Sequence, residues 1–200
     1  MNKKQLAIKL SKLKGLEVLN PNLEQYQTNS EFASELLWLV YQNEDIEDKY
    51  IADFGCGNGL LGIGALLLGA KFVYFLDLDE NALEICKNNV NSLGFHNCKF
   101  IHSDVYKFDN NVDIVVMNPP FGVQKRKADK TFLEVAMKHS KVIYSIHKIE
   151  SKNFIQQLSS ESGFQIENVI ERDFIIKRSF DFHNKDRYNV KVGIWILRKV

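Results

Sequence analysis

Short apolar runs alternate with helix-length amphipathic segments along most of this chain, and that alternation predicts an α/β fold. The runs at 50–54, 72–76, 99–102 and 112–117, then about 141–145, 165–177 and 190–197, read as strands. Helices are predicted from Leu60 to Gly69 and at about 81–93, 130–138 and 151–162. Right-handed crossovers between such units build a doubly wound sheet. Over the first twenty residues, Leu6, Leu10, Leu13 and Leu16 recur at helical spacing with lysines on the remaining face, which predicts a helix laid against the core or a substrate.

The strand at 50–54 runs into Gly55-Cys56-Gly57-Asn58-Gly59 and then into the apolar helix. Glycines let a backbone turn tightly and come close to a bound cofactor. Gly57, Gly59 and Gly62 match the dinucleotide fingerprint, so the glycines alone fit a nicotinamide cofactor as well as S-adenosylmethionine. Asp77 closes the next strand, about 20 residues beyond the loop, where an acid hydrogen-bonds the ribose that both cofactors carry. Asp53 separates the two. A carboxylate two residues before the first glycine organises the loop and attracts a cationic methionine end, whereas it repels a pyrophosphate. Asp104 follows the strand at 99–102, placed to accept from an adenine amino group while Val105 covers the ring; capping a turn is the competing role for Asp104.

Asn118-Pro119-Pro120-Phe121 follows the strand at 112–117. Two prolines neither continue a sheet nor enter a helix interior, so the chain bends where open α/β sheets bind ligands. An amine conjugated to a ring or carbonyl is a poor nucleophile, and two hydrogen-bond acceptors, the Asn118 side-chain oxygen and the Pro119 carbonyl, would orient it. Phe121 adds a π face for a flat base or amide. Alone, Asn-Pro-Pro is a turn leaving a strand; behind a cofactor loop it points to methyl transfer onto an amino group.

Asp53 to Gly59, Asp77-Leu78-Asp79 and Asn118-Pro119-Pro120-Phe121-Gly122 resemble the Rossmann-like class I methyltransferases of the amino-methylating branch. Leu23-Glu24-Gln25-Tyr26-Gln27-Thr28 resembles the Glu-Gln-Tyr-x-Thr segment of the methyltransferase-like family that makes N6-methyladenosine in small-subunit ribosomal RNA. Tyr144-Ser145-Ile146-His147-Lys148 and Phe182-His183 are similar to that family as well, so the resemblance spans nearly the whole chain. It implies a mostly parallel seven-stranded sheet in the order 3-2-1-4-5-7-6, with helices on both faces and the third strand at an edge. It implies one domain over 1–200: an amino-terminal helix and cofactor-capping segment over 1–30 and a Rossmann-like core over 48–200. The cofactor would be S-adenosylmethionine, with Gln25 and Thr28 helping to close a pocket built from Asp53, Gly55, Cys56, Gly57, Gly59, Leu60, Asp77, Leu78, Asp104, Val105 and Asn118. Catalysis would fall to Asn118, Pro119, Pro120 and Phe121. After Gly122 the chain reads Val123-Gln124-Lys125-Arg126-Lys127, a departure from the Thr-Lys of eukaryotic members that bears on the RNA site.

The same four residues serve amino-group methylation of adenine or cytosine in DNA, of guanine N2 in RNA and of protein glutamine, and the chain leaves little room for a DNA target-recognition region. A cofactor-binding scaffold active only in a complex is a rival of another class. Related eukaryotic enzymes use a small zinc-binding activator, for which the edge strand at 98–101 is the docking candidate by strand addition.

Composition adjusts this picture in three places. With 200 residues, 45% of them hydrophobic, one core is expected. A net charge of only +1 means that RNA binding rests on charge distribution. Lys3, Lys4, Lys9, Lys12 and Lys14 form one cluster, Lys125, Arg126, Lys127 and Lys130 a second, and Arg172, Lys177, Arg178, Lys185 and Arg187 a third, while Glu44-Asp45-Ile46-Glu47-Asp48 is acidic. Each basic cluster alone reads as a solvated face; together on one rim they would bind phosphates while Phe180 or Phe182 stacks on an unpaired base. His147 and Lys148 follow the fifth strand on the ligand edge and are RNA-contact candidates with His183. Cys56, Cys86 and Cys98 have neither disulfide nor zinc spacing, Cys56 reads as a small filler of the glycine loop, and no metal site is expected. The amino terminus is too polar for a signal peptide or membrane span, which makes a soluble cytoplasmic protein the expectation. Trp38 and Trp195 read as core.

Overall fold

Residues 1–16, 28–120, 128–177 and 187–200 are described by the computed structural model. Its strands are β1 (Tyr50–Phe54), β2 (Phe72–Asp77), β3 (Cys98–His102), β4 (Ile114–Met117), β5 (Val142–Lys148), β6 (Phe164–Lys177) and β7 (Arg187–Lys199). They form one sheet in the order β3-β2-β1-β4-β5-β7-β6, as the resemblance implies. The first five pair in parallel, and β7 runs antiparallel to both β5 and β6. The order reverses beside β1, so the carboxyl ends of β1 and β4 flank a switch-point crevice.

Strand alternation sends side chains to two apolar layers. Ile51, Val73, Phe75, Ile114, Val116 and Tyr144 pack on one face with α1 (Lys3–Leu10), α2 (Ser30–Gln42), α3 (Leu60–Leu67) and α4 (Glu80–Ser92). Ala52, Phe54, Leu76, Val115, Met117, Ile143 and Trp195 face the other way, under α5 (Ala128–His139) and α6 (Lys152–Glu161). Fully burying a Leu or Ile contributes about 1.5–3 kcal/mol, so either layer outweighs any single polar contact here.

Two glycines set how closely α3 sits. A Cβ on Gly62 would lie 2.3 Å from the Phe75 ring, and one on Gly64 would lie 2.2 Å from Leu37 Cδ1. The first lets α3 pack onto β2, and the second lets α2 pack onto α3.

Three expectations need adjusting. The amino-terminal helix is shorter than twenty residues: a capping box formed by Asn2 and Gln5 starts α1, the helix stops at Leu10, and Leu13 packs on the core from the turn that follows. The periodicity reading named no helix over 30–42, yet α2 lies there, capped by Asn29 Oδ1 accepting from Phe32 N at 2.7 Å. Trp195 is fully buried as expected, but Trp38 is half-buried at the margin of the core, beside Tyr41.

Candidate active site

The loop after β1 is held by two carboxylates. Gly55, Gly57 and Gly59 all have positive φ (66°, 54° and 87°), a region that favours glycine. A Cβ on Gly59 would also come within 2.6 Å of Cys86 Sγ. Asp53 Oδ2 accepts from Gly62 N at 2.8 Å and so fixes the first turn of α3. Asp77 Oδ2 accepts from Gly57 N at 2.7 Å, and its Oδ1 accepts from Asp79 N at 2.9 Å. Asp79 in turn caps α4.

Both acids are buried, at 1% and 9% exposure. Desolvation pushes the Asp53 carboxyl up to about 7, against the opposing pull of the Gly62 N–H and with help from the nearby Asp77 charge. Burial raises Asp77 as well, partly offset by the backbone N–H groups it accepts from. Among the described residues no lysine or arginine pairs with Asp53, so none of them supplies a counter-charge to its carboxylate.

A cleft opens over this loop. Of the residues predicted from sequence, Thr28, Asp53, Gly55, Cys56, Gly57, Leu60 and Asn118 line it. Leu16, Asn58 and Leu61 line it too and were not foreseen. Asn118, just beyond β4, donates from Nδ2 to Thr28 Oγ1 at 2.7 Å. That bond commits the donor end of the amide to Thr28 and orients its oxygen, the acceptor that the sequence argument requires. Pro119 is buried and Pro120 half-buried behind it.

The remaining candidates divide. Gly59 caps α3 and does not line the cleft. Leu78 is exposed and its carbonyl lies 3.0 Å from His102 Nε2. Asp104 caps the short turn at 105–107, its Oδ1 accepting from Tyr106 N at 3.4 Å, and Val105 is buried in the second apolar layer. Cys56 is buried, and burial together with Cys86 holds its thiol well above its ordinary value, which suits a space-filling residue and not a nucleophile.

His147 is corrected. It lies on β5, a strand between β4 and β7 that is buried on both faces from Val142 to His147; at 1% exposure it does not lie on an RNA-facing surface. Burial pushes its imidazole down to about 3, which keeps it neutral. Lys148, one residue on, is half-buried at the strand end. Among the basic candidates, Lys130 pairs with Glu134 at 3.4 Å and Arg172 with Glu35. Phe121, Gln25, Lys125, Arg126, Lys127, Phe182 and His183 lie outside the described residues. Within the described residues no cluster of His, Cys, Asp and Glu forms a metal site, and no helix is long and apolar enough to cross a membrane.

The methyltransferase small domain model matches residues 27–143. The rRNA N(6)-adenosine-methyltransferase METTL5 of Danio rerio is 32% identical over 96% of this chain and 96% of its own length. Its counterpart in Drosophila melanogaster is 34% identical over 86% of this chain and 85% of its own. The crystal structure of a Pyrococcus horikoshii protein, proposed to be an RNA methyltransferase, superposes with a TM-score of 0.93 at 44% identity, covering 100% of this chain and 98% of that one.

Proposed function

This chain belongs to the methyltransferase small domain family, and on that premise we propose that it methylates N6 of an adenine in small-subunit ribosomal RNA, with S-adenosylmethionine as the methyl donor. The observation that carries this reading is Asn118, one side chain that both lines the glycine-loop cleft and begins the Asn-Pro-Pro run.

The residues fit the cofactor. Asp53 is buried, faces the cleft and lacks a cationic partner among the described residues, an environment that a positively charged ligand relieves and a pyrophosphate worsens. The positive-φ glycines leave the loop backbone open to close approach. When bound, S-adenosylmethionine supplies a methyl group already activated on a sulfonium, so the protein needs no strong acid or base.

The chain's own residues then align the amine. Thr28 holds the Asn118 amide, whose oxygen accepts one amino hydrogen; the Pro119 carbonyl accepts the other; and Phe121 stacks the base. Asp77, committed to the loop backbone, stands at the strand end for the ribose, and Gln25 closes the pocket with Thr28. The lysines of α1 and the segment after it, with Lys125, Arg126, Lys127, Lys148, Phe182 and His183, are the RNA-facing candidates. A small zinc-binding activator would add to β3, the edge strand on the parallel side of the sheet, along 98–101. An enzyme that meets ribosomal RNA would work in the cytoplasm.

The test incubates purified protein with methyl-labelled S-adenosylmethionine and separate small-subunit RNA, large-subunit RNA, DNA and protein fractions, then digests the nucleic acids to nucleosides. Label in N6-methyladenosine of small-subunit RNA is the expected result, and label confined to DNA or protein overturns the reading. Asn118→Ala should lose methyl transfer while still binding S-adenosylhomocysteine.

A further inference from the structure

The amino-terminal segment meets the cleft at a point that no motif marks. Asn89, on α4, is 5% exposed and places its whole amide on two stretches of backbone. Its Oδ1 accepts from Lys14 N at 2.9 Å, while its Nδ2 donates to Lys14 O and to Asn58 O, each at 3.0 Å. Asn58, inside the glycine loop, donates from its own Nδ2 to the same Lys14 O at 3.1 Å. The reciprocal bond between Asn89 and Lys14 fixes both position and direction of the chain there, as a strand neighbour would. Two residues later Leu16 lines the cleft, next to the wall formed by Gly57 and Asn58.

This tie acts on the segment and not on the helix before it. Leu6 and Leu10 are already buried among Leu36, Leu37 and Ile63, so α1 is docked by apolar burial of its own. What Asn89 adds is the placement of residues 14–16 against the glycine loop. Asn89 itself does not line the cleft.

We propose that Asn89 is a positioning residue for the cofactor: by clamping Lys14 to Asn58 it holds Leu16 in place as a wall of the cleft. The inference rests on the S-adenosylmethionine reading of that cleft. Cofactor affinity then depends on Asn89, and the transfer step at saturating cofactor does not.

Full-length wild type and Asn89→Ala are compared by calorimetric titration with S-adenosylhomocysteine, by KM and kcat for S-adenosylmethionine, and by hydrogen exchange. Losing the clamp should raise Kd and KM for the cofactor about tenfold and leave kcat within about twofold. The Lys14 amide should lose its protection while the amides of α4 keep theirs. Leu16→Ala should raise Kd as well, and the double variant should fall short of the sum because both act through one wall. A lowered thermal midpoint with unchanged Kd and KM would make Asn89 a strut of the fold and overturn the proposal. Should Asn89→Ala not fold, Asn89→Asp serves instead: it keeps the acceptor for Lys14 N, loses both donations, and is expected to raise Kd; an unchanged Kd overturns the proposal equally. If wild type itself does not bind S-adenosylhomocysteine, the cofactor reading fails and takes this inference with it; if wild type and Asn89→Ala bind alike, the inference alone fails.

Discussion

Two buried carboxylates, one at each end of the sheet, are treated in opposite ways. Asp45, on the loop before β1, accepts from Tyr144 Oη at 2.7 Å and from two guanidinium nitrogens of Arg198 at 3.3 and 2.6 Å, and Arg198 also pairs with Glu167. Asn43 Nδ2 completes the knot by donating to Tyr144 Oη at 2.8 Å. Burial first, and then Asp45, hold the Tyr144 phenol above its ordinary value, and the carboxylates hold Arg198 charged. Among the described residues, Asp53 has a backbone N–H, a neighbouring acid and an open cleft. A buried charge that is neutralised inside the fold closes a corner; one left without a counter-charge beside a cleft is a place for a ligand to supply it.

The largest effect should come from Asp53→Asn. The amide oxygen still accepts from Gly62 N, so the glycine loop keeps its shape, but the charge is gone. Cofactor Kd should rise about 100-fold, the range expected when a charge-assisted contact is lost. Thermal stability of the ligand-free protein should rise at neutral pH, because a desolvated carboxylate has been removed. Titration and thermal melts on one preparation read both signs; a destabilised variant that binds cofactor normally would make Asp53 the same kind of group as Asp45.

Arg198→Met should behave in the opposite sense. It leaves Asp45 buried with Tyr144 but without its cation, at a cost of about 2 kcal/mol in unfolding free energy, below the usual figure for breaking a buried pair because the Arg198 side chain is 28% exposed. Cofactor Kd should not change, since none of these residues lines the cleft. Denaturant unfolding and titration together decide it.

What the sequence discloses differs between the two ends for a physical reason. The Asp53 loop is written in consecutive residues, because a tight turn needs glycines and an acid at fixed short spacing. The Asp45 knot joins residues 99 and 153 positions apart, and the clamp on Lys14 spans 75; nothing local requires either. Helix α2 was legible in Asn29, Phe32, Leu36, Leu37 and Val40, whose spacing has a helical period and an amino-terminal cap. His147 was misplaced because β5 is covered on both faces almost to its carboxyl end, and only Lys148, the last residue, emerges from that cover. For Asp104 the fold adds the cap, its Oδ1 accepting from Tyr106 N, which the sequence had named as one of two roles.

The pH dependence gives a smaller and sharper contrast. Asp53 titrates near 7 when folded against 3.8 as its ordinary value, so between those values the folded state holds the extra proton. From this group, stability of the ligand-free protein is fully present below 3.8 and falls as pH rises through about 7; the raised Asp77 adds in the same direction. Affinity for a cationic cofactor runs the other way, because it needs the carboxylate, and should weaken about tenfold between about pH 8 and pH 6. In Asp53→Asn both slopes should flatten. Parallel slopes for affinity and stability in wild type would mean that the cofactor does not answer the Asp53 charge.

The smallest effect tests whether burial, and not the mere presence of an arginine–carboxylate pair, governs the Asp45 corner. Arg172 donates to Glu35 Oε1 from Nε at 2.9 Å and also from Nη2, so two guanidinium nitrogens meet one carboxylate here too, on a single oxygen where Arg198 spans both oxygens of Asp45. The Arg172 side chain is 44% exposed and that of Glu35 25%, against 28% and 12% for Arg198 and Asp45. Water competes for both partners of the outer pair, and no buried charge is stranded when one is removed. Arg172→Met should therefore cost about 0.5 kcal/mol or less, and that cost should shrink further in high salt. An equal loss from Arg172→Met and Arg198→Met would mean that pairing alone sets the energy, and the distinction between the neutralised acid and the open one would then lose its basis in burial.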